Sequence, residues 1–110
     1  MHMHSSQTGT QPVTVVITCT IQPDKLELAR RELRAVIRQV MALEPACLGI
    51  RVHEDARAPN RWLIVEQWAS EAAFTGPHMQ QPHMQAFMQT AQTFLDGQAD
   101  FGFWHETLAT

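Results

Sequence analysis

Residues 66–87 read EQWASEAAFTGPHMQQPHMQAF, in which a strand end, a break and a helix start follow closely on one another. The first residues end an apolar strand, and a short helical segment then runs to a break at Gly76-Pro77. A second long helix begins after that break. The same stretch supplies a carboxylate, an indole and two imidazoles, which belong to Glu66, Trp68, His78 and His83.

The segment before this stretch predicts one strand and one helix. Residues 12–21, PVTVVITCTI, are rich in β-branched residues that alternate along the chain, which is typical of a strand. Asp24 is a suitable N-cap for the helix that follows, and Glu27 completes a capping-box pair with it. Apolar residues then recur at helical spacing as far as Glu44-Pro45, where the proline ends the helix.

Two further strands, a helix and a last strand complete the predicted order. Residues 48–54 and 61–68 are strands joined by turn residues 55–60, so they form an antiparallel hairpin. Pro82 suits the first position of the second long helix, and Gly97 lies just past its end. Residues 101–108 form the fourth strand. The order β-α-β-β-α-β is the ferredoxin-like pattern of the α+β class, with a four-stranded antiparallel sheet and two helices on one face.

The sheet is predicted to be apolar on both faces. Val16, Leu63 and Val65 alternate with the residues assigned to the helix side, so they belong to the face that no helix covers. A large exposed apolar face favours a partner of complementary surface. We therefore expect a homodimer that packs sheet against sheet through this open face.

Length, charge and cysteine content limit the possible functions. The 110 residues predict one domain over residues 12–110, preceded by a disordered arm over residues 1–11. A net charge of -3 with scattered basic residues argues against nucleic acid, and no apolar run is long enough for a membrane helix. Cys19 and Cys47 form no disulfide framework or zinc spacing, and no signal peptide is recognisable. These features favour a cytoplasmic protein.

The motifs of residues 66–87 resemble those of the antibiotic biosynthesis monooxygenase (ABM) domain. That family typically shows Glu-x-Trp-x-Ser, then a histidine, and then a Pro-His-hydrophobic sequence five residues later. The matching residues here are Glu66-Gln67-Trp68, Ser70, Ala73-Phe74, His78, Pro82-His83-Met84 and Phe87. The EQW and PHM pieces are closest to the quinol monooxygenase branch, and the element order extends the resemblance over residues 13–108.

The resemblance implies a dimeric α+β barrel with a small-molecule pocket between the sheet and the helices of each subunit. Well-studied members oxidise electron-rich aromatics with molecular oxygen and use neither metal nor flavin. The chain is accordingly predicted to be a monooxygenase of a hydroquinone or phenol that needs no cofactor.

The ordinary pKa of imidazole suits the removal of a phenolic proton, so His78 and His83 are the candidate proton acceptors, with Glu66 in support. The candidate substrate-binding residues are Trp68, Phe74, Phe87, Phe94 and Thr18.

Each candidate also has a purely structural interpretation. Trp68 fits an ordinary core position, Glu66 a hydrogen bond to the next helix or to a partner chain, and either histidine a cap or a surface site. Copper is a further alternative because imidazole and thioether ligands both occur in this region. No metal is predicted, however, because the methionines belong to the apolar helix stripe and no histidine pair has i, i+4 spacing. The side chains concerned are His78, Met79, His83, Met84 and Met88.

Three departures from the family pattern bear on function. The interval from Trp68 to His78 is one residue longer than usual, with Gly76-Pro77 as the insertion. Ile64 stands where characterised polyketide-oxidising members have an amide residue, which predicts a different binding mode. The axial ligand of haem-degrading relatives would fall near Phe87 or Met88, which disfavours haem degradation. The main alternative is a non-catalytic small-molecule-binding or stress-response dimer of the same fold.

Overall fold

The computed structural model describes residues 11–110 and contains one four-stranded antiparallel sheet. Its strands are β1 (Val13–Thr20), β2 (Cys47–Asp55), β3 (Ala58–Trp68) and β4 (Asp100–Trp104), in the spatial order β2-β3-β1-β4. The predicted ferredoxin-like fold is confirmed. The arm predicted for residues 1–11 lies outside the described residues, except for Gln11.

Helical segments make the two long connections between strands. Helix α1 (Leu26–Leu43) connects β1 to β2, whereas α2 (Glu71–Ala73), a π-helical turn (Phe74–His78) and α3 (Pro82–Ala91) lie between β3 and β4. Side chains of α1 and α3 pack on the same face of the sheet, as predicted. The core residues on this face include Val13, Val15, Val36, Val40 and Trp68.

The start of α1 differs from its prediction. Pro23–Lys25 form a 3-10 turn ahead of the α-helix, and neither helical start has a side-chain cap. Glu27 instead pairs with Arg30 at 2.7 Å, and Arg30 also reaches Glu54 on β2 at 2.8 Å. The capping-box prediction was wrong because the tight turn at Pro23 places Asp24 inside a helical turn rather than in front of one.

The predicted break at Gly76-Pro77 is also wrong. The backbone stays helical through residues 71–80, and Pro77 lies inside the π-helical turn. Proline has no N–H, and its ring collides with the carbonyl four residues earlier in an α-helix. The wider π turn relieves both problems and takes up one extra residue. The chain breaks instead at Gln81, which is extended ahead of Pro82.

The end of α3 comes earlier than predicted, at Ala91 rather than near Gly97. The N–H of Phe94 donates to the carbonyl of Ala91 at 3.1 Å, so the chain tightens into a turn. The N–H of Asp96 then donates to the carbonyl of Thr20 at 2.8 Å, which attaches this turn to the end of β1. Gly97 has φ 84, a conformation that glycine adopts without strain. Strand β4 is likewise shorter than predicted and ends at Trp104.

The sheet face opposite the helices is open in the described part of the chain. The register pairs Val16 with Val65 and Thr18 with Leu63, and paired residues share a face. Trp104 lies on this face over Gly102, where an added Cβ would come within 2.8 Å of the indole nitrogen. Leu63 is 38% exposed and Trp104 is 61% exposed. This face carries the predicted apolar residues among polar ones such as Thr18, Arg51 and His53, and the dimer stays a prediction.

Candidate active site

A cavity of about 150 Å³ lies between the sheet and the two long helices. Apolar side chains from both layers form most of its wall, among them Ile17, Ile64, Val36 and Phe87. Apart from the thiol of Cys19, the ionisable groups in the wall are Glu66 and His78. A mainly apolar cavity with a few placed polar groups is the usual form of a small-molecule site.

Glu66 reaches this cavity from the middle of the sheet. It pairs with Val15 on β1 and Ile50 on β2, and its side chain is buried. Trp68 lies two residues further along β3 on the same face, as predicted, and donates its indole N–H to Oε1 of Glu66 at 2.8 Å. Burial raises the pKa of the Glu66 carboxyl, and the hydrogen bond from Trp68 partly opposes that rise.

His78 enters the cavity wall from the π-helical turn. Its ring packs against the rings of Trp68 and Phe74, with centroid distances of 4.4 Å and 5.0 Å. The Nδ1 atom lies 2.9 Å from Oε1 and 3.0 Å from Oε2 of Glu44, so it is hydrogen-bonded to that carboxylate. Nε2 is therefore the ring nitrogen left for a molecule in the cavity.

Burial lowers the pKa of His78 from its ordinary value of 6.5, although the Glu44 carboxylate acts in the opposite direction. Only 3% of the residue is exposed, so the charged form has little access to water. The imidazole is consequently neutral at neutral pH, which is the form that accepts a proton.

Glu44 is the site residue that the sequence did not reveal. It follows α1 with an extended backbone and is 7% exposed. Besides His78, it bonds Nε2 of His83 at 2.6 Å, so one buried carboxylate joins two imidazoles. A negative charge at the C-terminal end of a helix opposes the helix dipole. A glutamate at the C-terminal end of a helix, directly before Pro45, therefore indicates that a hydrogen-bond donor or a positive charge lies nearby.

His83 does not line the cavity. Pro82 begins α3 as predicted, and the ring of His83 contacts Glu44 at the end of α1. The same ring borders a surface groove between α1 and α3, which Glu32 and Gln39 also line. The expectation that His83 lies beside a substrate is therefore corrected, because His83 joins the site only through Glu44.

The aromatic candidates divide into two groups. Phe74, Phe87 and Phe94 line the cavity as predicted. Trp68 does not, because it is 1% exposed and packed in the core against Phe74 and His78. Its contribution to the site is the hydrogen bond that holds Glu66.

Thr18 lies away from the cavity on the outer face of the sheet. Successive side chains of a strand point to opposite faces, and Ile17 and Cys19 take the cavity side of β1. Thr18 is paired with Leu63 on the outer face. The predicted substrate contact of Thr18 is therefore corrected.

Among residues 11–110, no three or more His, Cys, Asp or Glu side chains are arranged to hold a metal ion. None of the helices within the same residues has the length and hydrophobicity to cross a membrane. Cys19 is half-buried and Cys47 is buried, and both thiols are free, as predicted.

Comparison with known proteins agrees with the fold and with the motifs of residues 66–87. The family model described as antibiotic biosynthesis monooxygenase matches residues 12–90, which is more than half of the chain. The chain belongs to the antibiotic biosynthesis monooxygenase family. Among curated proteins, none matches the chain significantly.

Several solved structures have a similar fold over nearly the whole chain. A Caulobacter crescentus CB15 protein named for the same family has a TM-score of 0.85 at 20% identity, over 97% of this chain and 100% of its own. A Pseudomonas aeruginosa protein has a TM-score of 0.78 at 25% identity, over 91% and 98% of the two chains. A conserved protein from Methanosarcina mazei Go1 has a TM-score of 0.80 at 16% identity, over 93% and 99%.

In this ABM chain, the π-helical turn ends at His78, and His78 lies in the cavity wall. The insertion predicted between Trp68 and His78 therefore does not keep His78 out of the cavity. Ile64 adds an apolar surface to the same cavity. The polar side chains in the wall of this cavity are Glu66 and His78, besides the thiol of Cys19.

Proposed function

We propose that this protein is a monooxygenase that oxidises a small electron-rich aromatic, a hydroquinone or phenol, with molecular oxygen and without a cofactor. The observation that supports this most is the position of His78. Its imidazole borders an apolar cavity while Nδ1 is held by the buried carboxylate of Glu44. Nε2 then accepts the proton of an aromatic hydroxyl group bound in the cavity.

Deprotonation is the step that the protein has to promote. Triplet oxygen reacts slowly with closed-shell molecules, whereas a quinol anion transfers one electron to it much more readily. Recombination of the resulting radical pair forms a C–O bond, and loss of water gives a hydroxyquinone. One oxygen atom of O₂ enters the ring and the other leaves as water. Oxidation of the quinol supplies two electrons and oxidation of the ring C–H supplies two more, so no other reductant is needed.

The remaining side chains of the wall bind and orient the aromatic ring. Phe74, Phe87 and Phe94 offer ring edges and faces for packing. Burial raises the pKa of the Glu66 carboxyl, and this group lies in the wall where it can form a hydrogen bond with a second hydroxyl group of the substrate. The mainly apolar wall also disfavours water beside the anion.

The size of the cavity favours substrates with one aromatic ring. A dry apolar cavity of roughly 150 Å³ is large enough for benzene. The cavity measured here has about the same volume. A hydroquinone or a substituted phenol therefore fits without rearrangement, whereas a fused three-ring substrate requires the helices to move away from the sheet.

The proposal is tested by oxygen uptake of the purified protein with a panel of hydroquinones and phenols of increasing size. His78→Gln keeps an N–H donor for Glu44 but removes the base, so we expect a rate loss of roughly 10²-fold. His105→Gln is the matched control, because His105 is exposed and bonds only the carbonyl of Pro12. Uptake no faster than the buffer blank would refute the monooxygenase. Tight binding of the aromatics without uptake would favour the non-catalytic binding protein.

We further propose that two copies associate through the outer face of the sheet. The face exposes Leu63 and Trp104 beside Val16 and Val65, and residues of this kind are stabilised by burial against a partner. A cytoplasmic location stays a prediction, with which the free thiols of Cys19 and Cys47 are compatible.

A further inference from the structure

We propose that Glu44 is a positioning residue that fixes His78 and His83 in opposite neutral tautomers. His78 then carries its proton on Nδ1 and presents a basic Nε2 to the cavity, whereas His83 carries its proton on Nε2. The inference rests on the proposed function only for the use of the base, because the tautomers themselves are measurable without any substrate.

The geometry around Glu44 leads to this assignment. A carboxylate accepts hydrogen bonds and donates none, so each imidazole that bonds it has to present an N–H. His78 approaches with Nδ1, at 2.9 Å and 3.0 Å from the two oxygens, and His83 approaches with Nε2 at 2.6 Å. A neutral imidazole has one N–H and one nitrogen with a free lone pair. If the N–H of His78 is on Nδ1, its lone pair is on Nε2. If the N–H of His83 is on Nε2, its lone pair is on Nδ1.

The burial of all three side chains restricts which hydrogen bonds they can form. The side chains of His78, His83 and Glu44 are 3%, 4% and 6% exposed. Water is therefore a poor substitute for either imidazole, and an unpaired carboxylate oxygen here is costly. His83 does not line the cavity, but it supplies the second hydrogen bond to the Glu44 carboxylate. Its role is thus distinct from that of His78, which contacts the substrate.

An amide at position 44 has only one oxygen that accepts hydrogen bonds, whereas the carboxylate has two. In Glu44→Gln one of the two oxygens is replaced by an NH₂ group, which donates and requires a lone pair on the imidazole that it faces. Oε2 lies within bonding distance of both imidazoles, whereas His83 reaches Oε2 alone. An NH₂ group at the Oε2 position therefore changes the tautomer of His83, and an NH₂ group at the Oε1 position faces His78. If His78 is the one that changes, Nε2 becomes an N–H and the base is lost.

The experiment is a long-range proton–nitrogen correlation spectrum of the full chain labelled with ¹⁵N-histidine, recorded above the ordinary imidazole pKa. The two buried histidines are assigned with His78→Gln and His83→Gln. We expect a pyrrole-like Nδ1 and a pyridine-like Nε2 for His78, and the reverse for His83. In Glu44→Gln, an inverted pattern identifies the imidazole that faces the NH₂ group. Glu32→Gln is the control, since Glu32 borders the same groove as His83 without bonding it, and both patterns stay unchanged.

The wild-type spectrum decides the proposal even if Glu44→Gln fails to fold. A pyridine-like Nδ1 in His78, a charged His78, or the same tautomer in both residues would overturn it. Oxygen uptake is measured in parallel, and we expect Glu44→Gln to lose on the order of 10²-fold in rate if His78 inverts. Correct tautomers without uptake would contradict the proposed function and leave the role of Glu44 intact, whereas uptake with the wrong tautomers would contradict the role of Glu44 alone.

Discussion

Trp68 donates its indole N–H to Oε1 of Glu66 at 2.8 Å, from a position two residues further along the same face of β3. The bond connects the most deeply packed aromatic residue of the core to one of the two acid–base groups at the cavity. A buried carboxyl group without a hydrogen bond is unstable, so the core tryptophan is what permits Glu66 to remain there. Packing and site chemistry therefore depend on the same side chain.

We expect Trp68→Phe to destabilise the protein by about 1–3 kcal/mol beyond the loss of packing, because Glu66 loses its donor in a buried place. Trp62→Phe is the matched control. Trp62 is also buried, but its indole donates to the carbonyl of Pro59, an exposed residue whose carbonyl has water as an alternative partner. Urea denaturation measures both variants. Equal losses in the two variants would contradict the importance assigned to the Trp68–Glu66 bond.

The stability contributed by His78 depends on pH with a defined sign. Burial lowers the pKa of His78 in the folded protein below its ordinary value of 6.5, so the unfolded chain binds the proton first. The free energy of unfolding therefore falls as the pH drops through 6.5 towards the lowered pKa of the folded state. Glu66 has the opposite effect, because its pKa in the folded protein is raised above the ordinary value of 4.5. Its contribution to the free energy of unfolding is complete below pH 4.5 and is lost as the pH rises through the raised pKa.

Comparison of the wild type with His78→Gln isolates the first effect, because Glu66 is common to both proteins. The advantage of the wild type in urea denaturation is expected to be constant above about pH 7 and to shrink towards about pH 5. An advantage that grows on acidification would mean that Glu44 raises the pKa of His78 above its ordinary value, and would contradict a neutral base.

Filling the cavity is expected to exclude the aromatic ligand. Ala91 lies on α3 in the cavity wall and is buried, so Ala91→Leu places three further carbon atoms in that space. We expect the affinity for phenol or hydroquinone to fall by about tenfold or more, which corresponds to about 1.4 kcal/mol. Ala42→Leu, at an exposed position of α1, is the control and leaves the affinity unchanged. Titration calorimetry measures both, and equal affinities would place the ligand elsewhere.

The outer face of the sheet is expected to hold a homodimer together. Light scattering should give about twice the chain mass of 12.5 kDa for the wild type and the single-chain mass for Leu63→Arg, which buries a charge in the interface. Leu43→Arg makes the same substitution at the end of α1, where Leu43 is 63% exposed, and should remain dimeric. A wild-type mass near that of one chain at micromolar concentration would refute the dimer.

The fold follows from the sequence because its determinants are local and repeated. The alternation along β1 assigns each residue to one face, and Pro82 and the Glu44-Pro45 pair mark helix boundaries through backbone sterics. The errors occur where tertiary contacts compete with local rules. The early end of α3 depends on the bond from Asp96 to Thr20, and the continuous helix through Pro77 depends on a π turn, which no local spacing rule predicts.

The site was only partly predictable for a related reason. The motif residues Glu66 and His78 follow from the family resemblance, and both line the cavity. Glu44 lies 34 residues before His78, and its importance arises only when the end of α1 meets the π turn. The placement of His83 depends on the same contact, because its ring turns to Glu44 and away from the cavity.

The central claim is that one atom of O₂ enters the aromatic substrate through the base at His78. The most direct measurement is mass spectrometry of the product formed from a hydroquinone under ¹⁸O₂. We predict that the wild type gives a hydroxyquinone with one ¹⁸O atom, and that His78→Gln forms it roughly 10²-fold more slowly. An unlabelled quinone accompanied by labelled hydrogen peroxide, or a labelled product formed equally fast by His78→Gln, would contradict the account.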